Sequence, residues 1–138
     1  MTDSELNKAP SSSRFRWGRI IAGAFLLELV LIIVLVPPLV LLGPEKVTPF
    51  ASPAVFIFGF LVAWWILQKV PQRRVLHGAL IGILATAIYL LLSLANPDGL
   101  SSVVAMYGVP MFIIGNGLRI VGCIVGGYAL DRRGPAEK

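Results

Sequence analysis

Two charged residues lie inside long apolar runs of this sequence. Glu28 belongs to the run that begins at Trp17, and Arg119 belongs to the run that ends at Leu130. An unpaired Glu or Arg near the centre of a bilayer costs about 2.5–3.5 kcal/mol on insertion scales. Residues of this kind therefore pair with each other, face water or contact a solute, and a carboxylate can also bind and release a proton.

The spacing of the two charges predicts that they meet. Glu28 lies eleven residues after Trp17, and Arg119 lies twelve residues before Asp131. If their helices are antiparallel, both charges lie about 16–18 Å from the same membrane surface, at about 1.5 Å per residue. Tyr89 reaches the same level and could donate a hydrogen bond to Glu28. With one further candidate partner, the predicted intramembrane polar layer is Glu28, Arg119, Tyr89 and Asn116.

Three roles remain open for this layer. In the first, an ion pair fixes the order and register of otherwise apolar helices. In the second, Glu28 binds a proton or faces a solute, and Arg119 tunes its affinity. In the third, the two residues miss each other and bind lipid head groups, water or a partner subunit. The sequence thus predicts a structural or accessory membrane protein, and the alternative is a small proton-linked or solute transporter or channel.

Enzyme motifs are missing from the sequence. His77 is the only histidine, and its place near the end of an apolar run favours an interfacial residue over a catalytic base. There is no His-Glu-x-x-His, no cysteine pair, no Gly-rich phosphate loop followed by Lys and no Gly-x-Ser-x-Gly. The single cysteine, Cys123, is best read as a small packing residue. We expect a protein that is not an enzyme and that holds no metal and no cofactor.

The composition is that of a membrane protein. Of 138 residues, 57% are hydrophobic and only 14% are charged, whereas charged residues make up about a quarter of a typical soluble domain. A net charge of +5 does not indicate binding to nucleic acid, because too little polar chain remains to build a water-exposed basic face.

The apolar runs predict an all-α integral membrane bundle of four transmembrane helices. Each run is near the roughly 20 residues that cross the hydrocarbon, and only helices satisfy their own backbone there. The predicted spans are about 17–42, 51–70, 75–95 and 100–130. They form one transmembrane domain, 17–131, between a disordered tail, 1–16, and a short tail, 132–138.

Lysine and arginine are concentrated on one side of this predicted bundle. Ten of the twelve lie on one side: before or near the start of the first span, from the end of the second span to the start of the third, or after the fourth. The other side holds only Lys46. The positive-inside rule then makes both termini cytoplasmic, and we expect a bacterial cytoplasmic membrane. Expected partners are the bilayer and either further copies of this chain or a larger membrane complex. Contact with anionic lipid head groups is expected for Arg14, Arg16, Trp17, Arg19, Arg73, Arg74, Arg132 and Arg133.

Prolines divide the first and last runs, which are too long for simple spans. Pro37 and Pro38 lie about twenty residues after Trp17, and Pro110 lies twenty residues before Leu130. We expect kinks there, near the outer face, with 39–42 and 100–109 bent over that face or dipping back into it. Such kinks usually shape packing, and the alternative is that freed carbonyls line a small outer vestibule.

Small residues at helical spacing predict close helix contacts, because backbones approach where side chains are small. Two of these glycines, Gly115 and Gly122, flank Arg119 and should leave room for its guanidinium to lie flat. The predicted packing residues are Gly78, Gly82, Gly115, Gly122 and Gly126.

Overall fold

A computed structural model describes residues 15–133 of the chain. In that range the chain forms five helices and no strand: α1 (Trp17–Leu42), α2 (Pro44–Leu67), α3 (Arg74–Ala95), α4 (Gly99–Tyr107) and α5 (Val109–Arg132). The greater part of both predicted tails, residues 1–14 and 134–138, lies outside the described residues.

Within 15–133, four helices, α1, α2, α3 and α5, are long and apolar enough to cross a membrane. Their outer faces expose large apolar side chains such as Phe25, Ile33 and Leu61, which hydrocarbon would cover. The predicted all-α bundle of four apolar spans is confirmed.

The four spans are arranged with α1 and α5 on opposite corners. Each of these two helices packs against both α2 and α3, whereas α1 and α5 make little direct backbone contact with each other. The short helix α4 packs on α3 and α5. The first and last spans are therefore joined mainly through the two helices between them.

The second span begins earlier than the sequence suggests. Residues 43–50 are expected to connect two spans, but α2 starts at Pro44, and only Gly43 separates it from α1. Proline is tolerated in the first turn of a helix, because the N–H that it lacks has no partner there. Gly43 has φ +81°, a conformation that favours glycine and that allows the chain to reverse within one residue.

The two sites where proline kinks are expected differ in the structure. Helix α1 continues as one helix through Pro37 and Pro38 to its end at Leu42. The expected span 100–130 is divided into α4 and α5, but the division lies at Gly108, with φ +76°, and not at Pro110. Pro110 instead lies in the first turn of α5. It therefore marks the start of a helix, whereas the sequence predicts a kink inside one.

The two ends of the bundle differ in composition. The start of α1, the turn between α2 and α3 and the end of α5 come together at one end, which we call the basic end. Its cationic residues are Arg16, Arg19, Lys69, Arg73, Arg74, Arg132 and Arg133. The opposite end, which we call the proline-rich end, contains Pro37, Pro38, Pro44, Pro49, Pro53, Pro97 and Pro110.

Glycines bring the helices into backbone contact in the half of the bundle nearer the basic end. A Cβ atom on Gly78 would collide with the carbonyl oxygen of Cys123, and one on Gly122 would collide with that of Phe56. A Cβ on Gly82 would lie 2.7 Å from the Cα of Ile120. Contacts of the same kind occur at Gly126 and Gly127.

Candidate functional site

Glu28 and Arg119 occupy the buried faces of their helices. On α1 the buried face includes Ala24, Leu27 and Leu31, and Glu28 falls on it by the spacing of three and four residues. On α5 the buried residues begin with Arg119. Glu28 is 5% exposed and Arg119 is 6% exposed, so both charged groups point into the bundle and away from lipid.

The two side chains form an ion pair across the diagonal of the bundle. Nη1 of Arg119 lies 2.9 Å from Oε1 of Glu28, which confirms the predicted contact. The N–H groups are poorly directed, however, because Nε and Nη1 of Arg119 and Oε1 of Glu28 have no hydrogen-bond partner of good geometry among residues 15–133. The pair is therefore held by charge attraction and retains free hydrogen-bonding capacity.

Tyr89 and Asn116 lie beside this pair, but with different contacts from those expected. Cζ of Arg119 lies 4.7 Å from the centre of the Tyr89 ring, so Tyr89 meets the cation through its ring face. Asn116 Nδ2 donates to the Phe112 carbonyl oxygen at 2.9 Å, on its own helix. The Asn116 Oδ1 atom has no partner among the described residues. Neither side chain makes a hydrogen bond to Glu28 in the part of the chain that the structure describes.

A cavity of about 330 Å³ extends from the ion pair towards the proline-rich end. Its floor is polar and includes the four residues of the predicted polar layer. Its walls are mostly apolar, with Leu35 on α1, Val55 on α2, Met106 on α4 and Phe112 on α5. The lining contains no proline from the described residues, although Val36, Leu39 and Met111 beside the prolines belong to it. Sequence reasoning does not identify its walls, because apolar residues that line a cavity have the same types as those that fill a core.

The two glycines that flank Arg119 have different roles from the one expected of them. Gly122 faces the backbone of Phe56 on α2, so it permits helix packing and does not make room for the guanidinium. A Cβ added to Gly115 would meet no heavy atom of the described residues within 4 Å, and Gly115 lines the cavity. Gly115 is therefore not a packing residue, in contrast to the other four predicted glycines.

The predicted head-group residues of the basic end fall into two sets. Arg74 turns inwards: its Nε donates to the Val70 carbonyl oxygen at 2.7 Å and its Nη1 to that of Leu130 at 2.8 Å. With only 12% of its side chain exposed, Arg74 joins the turn between α2 and α3 to the end of α5 and is not placed for a lipid head group. Arg14 lies outside the described residues. The set that is wholly or partly exposed comprises Arg16, Trp17, Arg19, Arg73, Arg132 and Arg133.

His77 is buried at the basic end, whereas the sequence favours a position at the membrane interface. Its Nε2 accepts the backbone N–H of Arg16 at 3.4 Å, and its Nδ1 lies 2.9 Å from the carbonyl oxygen of Arg73. The ring of Phe15 packs on it, with centroids 5.2 Å apart. These contacts attach the segment before α1 to α3.

Comparisons with protein-family models, with curated proteins and with solved structures find no match to this chain. Within residues 15–133 no three His, Cys, Asp or Glu side chains come together as a metal site would require. The site itself offers a carboxylate that can take a proton, a guanidinium that can donate hydrogen bonds, and an apolar space above them.

Proposed function

We propose that this protein is a structural or accessory component of a membrane, in which the Glu28–Arg119 pair fixes the arrangement of the four spans. The observation that carries the proposal is the 2.9 Å contact between α1 and α5, two helices with little other direct contact. Among the described residues neither charge has an alternative partner of opposite sign at that depth, so only the native order of helices offsets both. The ion pair thereby selects one packing among several apolar ones.

The location that accompanies this proposal is a bacterial cytoplasmic membrane with the basic end towards the cytoplasm. Support comes from the cations of that end, of which Arg16, Lys69, Arg73, Arg132 and Arg133 are exposed, and from the positive-inside rule. We include no catalysis in the proposed role. The partners that we propose are anionic lipid head groups and either further copies of the chain or a larger membrane complex.

Single and double neutralisations test the role of the ion pair. We expect Glu28→Leu and Arg119→Leu each to lower the free energy of unfolding in detergent by about 3–5 kcal/mol, because each leaves one buried charge without its partner. The double variant, with both leucines, should recover most of that loss, because no charge then remains in the apolar interior. Unfolding is measured by titration with a denaturing detergent.

Glu45→Leu is the matched control, because Glu45 is an exposed carboxylate at the proline-rich end; its removal should change stability by less than about 1 kcal/mol. Additive losses in the Glu28 and Arg119 double variant would contradict the proposal. Purification of the wild type in mild detergent then distinguishes the two kinds of partner. Either a larger protein co-purifies in stoichiometric amount, or the preparation contains copies of this chain alone.

A second candidate function is a small proton-linked or solute transporter that uses Glu28. The observation that favours it is the position of Glu28 at the floor of the cavity. Transport is tested with proteoliposomes that contain a pH-sensitive dye and either the wild type or the stable double variant. Proton-coupled flux that is present in the wild type and lost in that variant would favour transport over a structural role.

A further inference from the structure

The cavity combines apolar walls with a polar floor whose hydrogen bonds are incomplete. Four described residues have buried side-chain atoms without a hydrogen-bond partner, and three of them, Glu28, Asn116 and Arg119, line this one space. Glu28 and Arg119 are each more than nine-tenths buried. Buried polar groups nearly always have their hydrogen bonds satisfied, so incompletely bonded side chains at the wall of a cavity point to an occupant.

The charges of the floor define the charge of that occupant. The carboxylate and the guanidinium are 2.9 Å apart and cancel each other. A charged head group placed beside them would have no counter-charge of its own and would lose its hydration. An uncharged polar group avoids this cost.

The free atoms of the floor define its hydrogen bonding. The Arg119 guanidinium donates, the Glu28 carboxylate accepts and the Asn116 amide can do both, and each of the three has at least one atom without a partner among the described residues. A group that both donates and accepts, such as a hydroxyl or a primary amide, can satisfy both kinds. The walls, with residues such as Leu31, Leu35 and Met106, match a hydrocarbon chain.

Size and access agree with this description. At about 330 Å³ the cavity is at the small end of ligand sites, and it suits a head group with the first part of a chain. The short helix α4 packs on α3 and α5 and makes little or no backbone contact with α1 or α2. The rest of the chain can therefore leave between α4 and the first two helices, into the hydrocarbon.

We propose that the cavity binds an uncharged single-chain amphiphile whose hydroxyl or amide head contacts Glu28, Asn116 and Arg119. The ligand enters from the leaflet at the proline-rich end, with its chain between α4 and the α1–α2 hairpin. This site does not depend on the ion pair having a structural role, since the same two side chains form its floor in either case.

Three probes with the same chain and different heads test the proposal: dodecanol, dodecanoate and dodecylammonium, compared at about pH 8, where the acid and the amine are charged. Native mass spectrometry of the wild-type protein in detergent counts bound copies. We expect one bound dodecanol, with an affinity at least about tenfold above that of either charged probe. Equal binding of all three, preference for a charged probe, or binding of none of them would overturn the proposal.

Two glycines on α5 provide a matched pair of variants. Gly115 lines the cavity and Gly117 does not, and at both positions an added Cβ meets no described atom within 4 Å. Gly115→Leu should weaken dodecanol binding at least about tenfold, and Gly117→Leu should leave it unchanged. Equal effects of the two variants would contradict a ligand in this cavity.

A dodecanol with a diazirine in its chain provides a test on the unmodified protein, should Gly115→Leu fold poorly. After illumination we expect the label on residues of the cavity wall, such as Leu35 and Met106. A label confined to lipid-facing residues such as Phe25 would overturn the proposal.

Discussion

The half of the bundle near the basic end and the half near the proline-rich end are packed in different ways. In the first, glycines on α3 and α5 place backbones in direct contact, and the buried residues of α3, from His77 to Ala85, all lie there. In the second, side chains of all five helices surround a cavity. The ion pair lies at the boundary. Close backbone packing thus gives way to an open space at the depth where the two charges meet.

The largest expected effect comes from adding the same side chain to each half. Gly122→Leu would drive a side chain into the Phe56 backbone, and we expect it to lower stability by about 3 kcal/mol or more, at the upper end of overpacking costs. Gly115→Leu adds the same atoms to the cavity and should cost less than about 1 kcal/mol. Titration with a denaturing detergent measures both. Similar losses of stability at the two positions would show that the two halves of the bundle are not packed differently.

A smaller effect is expected at the basic end from Arg74→Ala. This change removes two charge-assisted hydrogen bonds to carbonyl oxygens, at 2.7 and 2.8 Å, and should lower the free energy of unfolding by about 2 kcal/mol. Arg132→Ala removes an equal charge nearby, from an exposed contact with Tyr128, and should cost less than about 1 kcal/mol. If both variants behave alike, Arg74 contributes only its charge.

At the boundary, Tyr89→Leu should lower stability by about 1 kcal/mol through loss of the ring under the Arg119 guanidinium. Tyr89→Phe keeps the ring and should match the wild type within about 0.5 kcal/mol. Thermal unfolding of the two variants in the same detergent compares them. A Phe variant as unstable as the Leu variant would mean that the hydroxyl carries the interaction.

The smallest effect is expected at Thr86, just beyond the last buried residue of α3. Its Oγ1 has no partner among the described residues, so Thr86→Val should raise stability by about 0.5 kcal/mol through removal of a poorly satisfied hydroxyl. Denaturing-detergent titration of the variant beside the wild type measures the change. A loss of stability would instead show that the hydroxyl binds water or a ligand in the half of the bundle near the proline-rich end.

Sequence reasoning predicts the features that depend on counting along a helix. The four apolar spans follow from run length, and the contact of Glu28 with Arg119 follows from equal depth on antiparallel helices. The start of α2 at Pro44 is not predicted, because a proline indicates a helix break unless its place in the first turn is known. The division of the last run at Gly108, and not at Pro110, is not predicted either, because a positive φ angle cannot be recognised from the sequence.

The parts of the site that depend on which way a side chain faces could not be predicted. Gly115 and Gly122 are seven residues apart, which places both near the same face of an ideal helix, yet one faces a cavity and the other a backbone. Tyr89 is predicted at the right depth, but the choice between its hydroxyl and its ring depends on the rotation of α3. That rotation is fixed by contacts such as Gly78 with Cys123, which are known only from coordinates.

The position of the ion pair on the first and the last span has a consequence for biosynthesis. About 90 residues separate Glu28 from Arg119, and at about 5–20 residues per second the carboxylate precedes its partner by roughly 5–20 seconds. During that interval the nascent α1 carries an uncompensated charge into the membrane. Only a chain that has been translated through α5 offsets this charge, so the ion pair links the insertion of the first span to the synthesis of the fourth.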